Sequence, residues 1–200
     1  MLTAADRKAL LQTARRLFNT YGYDRVSMRQ LADELHMAVG NLTYYFPRKR
    51  QIVEALMEDS FEQTRVEGPV ESLEQINDMF SRMLDTLAYH SFFFLDIEFA
   101  AVSRNNGHHD YLRDQLLSGL ENLVQKGLFQ PAFDRETRET ILDMLLMTHT
   151  SWLWQHVRRT PMDEGALRSS KEQLLKGHWT ILSPYLTSEG HDALRRMMHS

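Results

Sequence analysis

The sequence predicts an all-α protein, with a small N-terminal three-helix head followed by a larger helical body. Three observations carry that prediction. Apolar residues recur at helical spacing along the whole chain, and no stretch alternates with period two over a useful length. Capping and breaking residues fall where such helices should start and stop. Charge is also divided: residues 1–53 hold nine Lys or Arg against four Asp or Glu, a balance of +5. Residues 54–200 hold fourteen against twenty-three, a balance of −9, so the chain carries −4 overall. Solvation alone favours no such separation, and a basic head on an acidic body points to a local polyanion contact.

Composition narrows the classes. A chain of 200 residues with 42% apolar and 25% charged content is ordinary for a globular protein of one large or two smaller domains. The absence of cysteine excludes a disulfide scaffold, a thiolate zinc site and a cysteine nucleophile. The central apolar stretch, Ser91 to Ser103, is interrupted by Asp96 and Glu98 and is too short to span a bilayer. The start of the chain, Thr3 to Lys8, is polar and has no signal-peptide core, so a cytoplasmic location without a membrane partner is expected.

The elements follow in order. Leu10, Ala14, Leu17, Phe18 and Tyr21 line one face of a first helix, capped by Thr3 with Asp6 and stopped at Gly22. Ser27 with Gln30 is a second capping box and opens a short helix through Leu35. A third helix fits Val39 to Tyr45 and must end before Pro47, because the residue preceding proline avoids the helical region. A fourth runs from about Arg48 to Arg65, closed by Gly68-Pro69. Leu73, Ile76, Phe80, Met83, Leu84 and Leu87 form the stripe of a fifth. Ser91 to Arg104 is apolar nearly all round, and Asn105-Asn106-Gly107 breaks it. Helices over His109 to Lys126, Asp134 to Arg158, Asp163 to Leu182 and Ser188 to His199 complete the pattern, with Gly127 a C-terminal cap.

The most informative stretch is Ser27 to Tyr45. Two short helices joined by His36-Met37-Ala38 have the connection length of a helix-turn-helix. Small Ala32 lets the second helix cross closely, and Leu31, Leu35, Val39 and Leu42 are placed to pack on the first helix. Asn41, Thr43, Tyr44 and Tyr45 then face outward. They offer hydroxyl and amide groups without an acid, which suits a phosphate-lined groove. Arg48, Lys49 and Arg50 follow at a helix start, where free backbone N–H groups add to the attraction for phosphate.

Leu17-Phe18, Gly22-Tyr23, Ser27, Gln30-Leu31-Ala32, Val39-Gly40-Asn41-Leu42, Tyr45-Phe46-Pro47 and Lys49 together resemble the N-terminal domain of the TetR/AcrR family of bacterial transcriptional regulators. The resemblance covers about residues 7 to 56. It implies a helix-turn-helix DNA-binding domain over residues 1–50 and a helical effector-binding and dimerisation domain over 51–200. It further implies a recognition helix at 39–45, phosphate contacts from Ser27 and Lys49, and a Gly40 that admits DNA close to the backbone. Thr43 departs from the family, which has tyrosine there in most members, and Tyr44 is placed to take over that contact. Arg29, in the first turn after Ser27, joins the DNA-facing set. Leu42 and Phe46, large and apolar, belong to the core.

In the body, Met79, Met83, Phe92, Asp96, Phe99, Met144, His149 and Trp152 are candidates for an apolar effector pocket, since methionine adapts its shape at binding surfaces. His149, mid-helix among Leu146, Trp152 and Leu153, reads as a hydrogen-bonded core histidine before a ligand contact. Trp154, Leu167, Leu174, His178 and Ile181 are candidates for a two-fold interface between copies of this chain. A homodimer would present two recognition helices to a pseudo-palindromic double-stranded operator. His108-His109-Asp110 sits in an apparent turn without convergent partners, so no metal is expected. No phosphate loop, nucleophile elbow or His-Glu-x-x-His appears, and neither a cofactor nor catalysis is expected.

The favoured reading is thus a repressor released from its operator by a mostly apolar small molecule. A second is an all-helical small-molecule or lipid binding protein whose helix-turn-helix does not function. Salt-dependent DNA affinity separates them.

Overall fold

The computed structural model describes residues 3–66, 68–95, 108–157 and 164–199. Among these are helices α1 (Ala4–Tyr21), α2 (Met28–Glu34), α3 (Val39–Tyr45), α4 (Lys49–Thr64) and α5 (Leu73–Tyr89). They continue with α6 (Ser91–Leu95), α7 (His108–Gln125), α8 (Arg135–Val157), α9 (Glu164–Leu182) and α10 (Ser188–His199). Among the described residues the only β-type pairing is an isolated bridge between Phe129 and Leu186. The fold is all-α. The predicted continuation of the Ser91 helix to Arg104, its break at Asn105-Asn106-Gly107 and the start at Asp163 lie outside the described residues.

The chain forms two compact units. One, here the head, comprises the N-terminal chain through Gln63 and the segment that begins at His90; the other, the body, comprises Thr64–Tyr89 and the C-terminal helices. The head therefore includes α4 and α6, which lie beyond residue 50. The reason is packing: Ile52, Val53, Ala55 and Leu56 of α4 and Phe92 and Phe93 of α6 share one buried cluster with Leu10, Ala14, Leu17 and Phe18 of α1.

Local sequence sets the head's helix starts. Thr3 and Asp6 form a complete capping box on α1, and Ser27 and Gln30 form one on α2, each pair exchanging side-chain and backbone bonds. Gly22 closes α1 at φ +84°, a conformation that costs other residues strain, with its N–H donating to the Phe18 carbonyl. The turn between α2 and α3 carries His36 at φ +53° and is fastened by the Met37 N–H on the Ala32 carbonyl, 2.9 Å. Leu31, Ala32, Leu42 and Phe46 are buried in the head core. Two apolar assignments fail. Tyr21 and Val39 are exposed, because each sits at a helix end whose rotation carries it past the edge of the buried stripe.

A different start governs α6. Asn19, from α1, accepts from the Ser91 hydroxyl and the Phe92 N–H, both at 3.0 Å, so the side chain that serves the first turn comes from 72 residues away. Phe92 then packs on Phe18 with ring centroids 5.2 Å apart.

In the body, Leu73, Ile76, Met79 and Phe80 of α5 are buried with Leu116, Leu120 and Leu123 of α7, Leu142, Leu145 and Leu146 of α8 and Trp179 and Leu182 of α9. The Trp179 indole N–H donates to Asn77 at 2.9 Å, and that of Trp152 to Ser170 at 2.6 Å. The helix α10 crosses the turn after α7 so closely that a Cβ on Gly190 would lie 2.1 Å from the Leu128 carbonyl oxygen; only glycine fits there.

Candidate nucleic-acid interface

The turn and the α2–α3 crossing hold α3 with Leu42 pointing into the head and Gly40, Asn41 and Tyr44 pointing out. No atom lies within 4 Å of where a Gly40 Cβ would sit, so that side of α3 is open. Tyr44 is 79% exposed and stands edge-on to Tyr45, with ring centroids 5.0 Å apart. Tyr45, expected on the outer face, is half-buried with its ring against the head core. Thr43 is also half-buried, and its hydroxyl is engaged by its own helix, 3.0 Å from the Val39 carbonyl oxygen and 3.2 Å from that of Gly40. The hydroxyl proton is thus occupied, and Tyr44 presents the free phenol. An open cleft of about 410 Å³ between the first turns of α1 and α3 is lined in part by Asp6, Met37, Asn41 and Tyr44.

Around this face the basic residues divide into two groups. Arg7 pairs with Asp59 at 3.2 Å, Arg16 with Glu34, and Arg50 with Glu54 at 3.2 Å. Arg25, Arg29 and Arg48 are exposed and make no ion pair among the described residues. Ser27 is exposed, but its hydroxyl accepts from the Gln30 N–H at 3.2 Å as the cap of α2. Lys49, which the resemblance makes a phosphate contact, turns inward. Its ammonium donates to the carbonyls of Tyr23 at 2.6 Å and Val26 at 2.8 Å and lies 3.9 Å from the centre of the Tyr23 ring. Partial burial pushes its pKa below the usual lysine range, opposed by the charge of Asp24.

The body's candidates scatter. Phe92 belongs to the head core, because Asn19 caps its helix there, and it does not join Met79 or Met83. Met144 is 61% exposed, since the face of α8 that meets the core carries Leu142, Leu145 and Leu146 instead. Met79 and Trp152 are buried, and Met83 is half-buried against the body core. Asp96 and Phe99 lie outside the described residues. His149 is buried as expected, yet neither of its ring nitrogens has a hydrogen-bond partner among the described residues. Its ring stacks on His178 with centroids 4.9 Å apart, and Phe80 meets both rings edge-on. His178 is consequently core and not interface. One of its nitrogens lies 3.2 Å from the Thr148 hydroxyl. Burial drives His149 down to about 3, helped by repulsion from His178, and drives His178 to about 4.

Of the interface candidates, Trp154 is 38% and Ile181 45% exposed, while Leu167 and Leu174 are half-buried. Met144, Met147, Ser151 and Trp154 fall at i, i+3, i+7 and i+10 along α8 and are all exposed, one continuous outward stripe. The sequence groups Met144 and Met147 with Trp154 but offers Met144 to the pocket, because α8 is apolar on several faces and periodicity alone cannot orient it. Sequence reasoning missed Asn19, which acts across 72 residues, and it grouped Arg48 with Lys49 and Arg50, from which only tertiary contacts separate it.

An acid-free, outward helix of a helix-turn-helix, flanked by arginines without an ion pair among the described residues, is the arrangement that suits a DNA-binding domain. Residues 10–56 match the model of the bacterial regulatory proteins of the tetR family. The fold of the whole chain is similar to that of a TetR-family transcriptional regulator from Marinobacter aquaeolei VT8, at 20% identity over 96% of this chain and 97% of that one, TM-score 0.79. It is also similar to a TetR regulator from Haloarcula marismortui ATCC 43049, at 15% identity over 92% and 100%, TM-score 0.68. A third such structure is the ketosteroid transcriptional regulator KstR2 of Mycobacterium tuberculosis, at 19% identity over 88% and 95%, TM-score 0.57. No curated protein matches in sequence. No described helix is long and apolar enough to cross a membrane.

Proposed function

We propose that the protein is a homodimeric repressor that leaves a pseudo-palindromic operator when a mostly apolar effector binds its body, and that it is not an enzyme. One observation carries the DNA half: α3 is anchored through Leu42 and presents Gly40, Asn41 and Tyr44 outward with no acid among its residues. In this reading Asn41 and Tyr44 reach the major groove, and Thr43 and Tyr45 set the pitch of the helix beneath them. Ser27 and Arg29, at the start of α2, contact phosphate. The division of labour is a DNA-binding domain over 1–50 and an effector-binding and dimerisation domain over 51–200, with α4 as the element that carries the effector signal.

The exposed stripe of α8 with Ile181, Leu174 and Leu167 of α9 is the surface for the second copy. The effector side rests on Met79, Met83, His149 and Trp152, with a steroid-like or acyl molecule the kind that suits their apolar surroundings; one relative of this fold is a ketosteroid regulator. An effector acts only if it binds the DNA-free arrangement more tightly than the bound one.

The test is a salt titration of DNA binding combined with a panel of apolar ligands. Log affinity for duplex DNA should fall linearly with log salt. A releasing ligand should weaken operator binding about 5- to 150-fold, the usual range for such coupling. Ile181→Glu should yield a folded monomer by sedimentation that no longer holds the operator. Ligand binding with no salt-dependent DNA affinity would establish the alternative, a helical binding protein whose helix-turn-helix does not function.

A further inference from the structure

The cation that the family resemblance assigns to phosphate is spent inside the head. An ammonium has three N–H donors. Two of those of Lys49 are committed, to the carbonyls of Tyr23 and Val26, and its positive charge faces the Tyr23 ring. Hydrogen bonds from an ionised donor at 2.6 and 2.8 Å are short and strong, and the ring adds a cation–π attraction. The two carbonyls flank the turn that ends in Ser27, the cap of α2, so the clamp ties that turn to the first residue of α4. One residue earlier, Arg48 is exposed. Its backbone N–H is satisfied by Gln51 at 3.1 Å, while its guanidinium has no carboxylate partner among the described residues, unlike Arg50 beside it.

The geometry points to an exchange of roles: Lys49 is a positioning residue that fastens the α1–α2 turn to α4, and Arg48 makes the phosphate contact at this place. The inference rests on the DNA-binding reading above and refines it. A guanidinium presents a planar fork that matches phosphate, whereas a compact ammonium satisfies two converging carbonyls, so each residue type suits the role given to it.

The test uses the full chain and a mixed-sequence DNA duplex. Arg48→Met should lower the slope of log affinity against log salt by about one unit, with an unchanged melting temperature. Lys49→Met keeps the stem and removes the donors and the charge. It should keep the wild-type slope and melt earlier. Well below its melting temperature, where it is folded, it should still bind several-fold more weakly at every salt. In the wild-type protein the Lys49 ammonium should give a slowly exchanging NMR signal that does not shift on adding the duplex, which decides the matter even if Lys49→Met fails to fold. A unit of slope lost with Lys49→Met, an unchanged slope with Arg48→Met, or an ammonium signal that moves on DNA binding would each overturn the assignment. So would a folded Lys49→Met that binds as tightly as wild type, because the residue would then be merely structural. A wild-type protein without salt-dependent duplex binding would sink the DNA-binding reading itself.

Discussion

Head and body solve the same problem, burying apolar helix faces, with opposite treatment of their polar groups. In the head, polar side chains are consumed by caps and clamps: Thr3, Ser27, Asn19 and Lys49 each close a backbone end. What remains outward on α3 is held by many short-range constraints. In the body, two imidazoles are stacked in the core, and of their four ring nitrogens one has a neighbour within hydrogen-bond distance. A buried polar group without a partner costs about 1–3 kcal/mol. The body therefore carries a local energetic cost where α5, α8 and α9 meet, the kind of place from which ligand-responsive regions are drawn.

The largest effect should come from breaking the head alone. Phe18 is fully buried and contacts both Tyr23 and Phe92. Phe18→Ala should cost about 3–5 kcal/mol, abolish DNA binding and release the segment that begins at His90. All three tryptophans lie in the body, so tryptophan fluorescence should report little change while circular dichroism shows the loss.

Acid should separate the two units next. His90 in the head is held at about 4, chiefly by burial and then by Arg15, against the opposing charge of Asp59. His149 and His178 are held at about 3 and about 4. For a histidine depressed in the folded state, the unfolded chain binds more protons below its own pKa of about 6.5, so stability falls as pH falls from there toward the folded value. The loss is about 1.4 kcal/mol per pH unit per ring, or about 2 kcal/mol per ring by pH 5. The body, followed by tryptophan fluorescence, should thus lose stability about twice as steeply as the head, followed by the amide NMR signals of its helices. His149→Phe keeps the stack and should halve the body's slope. An unchanged slope would mean that the pair does not govern acid sensitivity.

The smallest effect tests the caps. Ser27→Ala should cost about 1 kcal/mol, felt in the head's melting and not in the fluorescence of the body. An equal shift in both units would show that they unfold as one, and the contrast between them would lose its basis.

The helix starts at Thr3 and Ser27, the stop at Gly22, the extent of α3 and the burial of Leu42 and Phe46 were all legible in the sequence, because each depends on residues a few positions apart. The same locality explains why the head's family signature could be read. The body's apolar residues were legible as a set, but not which way each one faced. Met144 moves to the surface because α8 is apolar on several faces, and His178 of α9 moves to the core because it stacks on His149. Rotation of such a helix is decided by what packs against it.

By itself, then, the sequence determined the all-α class, the helix-turn-helix, two of the four residues it placed outward on α3 (Asn41 and Tyr44, not Thr43 and Tyr45), and the charge division between head and body. Caps, turns and helical periodicity are short-range, and a 3.6-residue repeat carries its own orientation whenever only one face is apolar. Only the tertiary structure decided that Phe92 belongs to the head, that Lys49 points inward while Arg48 does not, and that His149 meets His178. Each of those outcomes is a contact between residues 23 or more positions apart, or depends on one, and its energy exists only once the chain has brought them together.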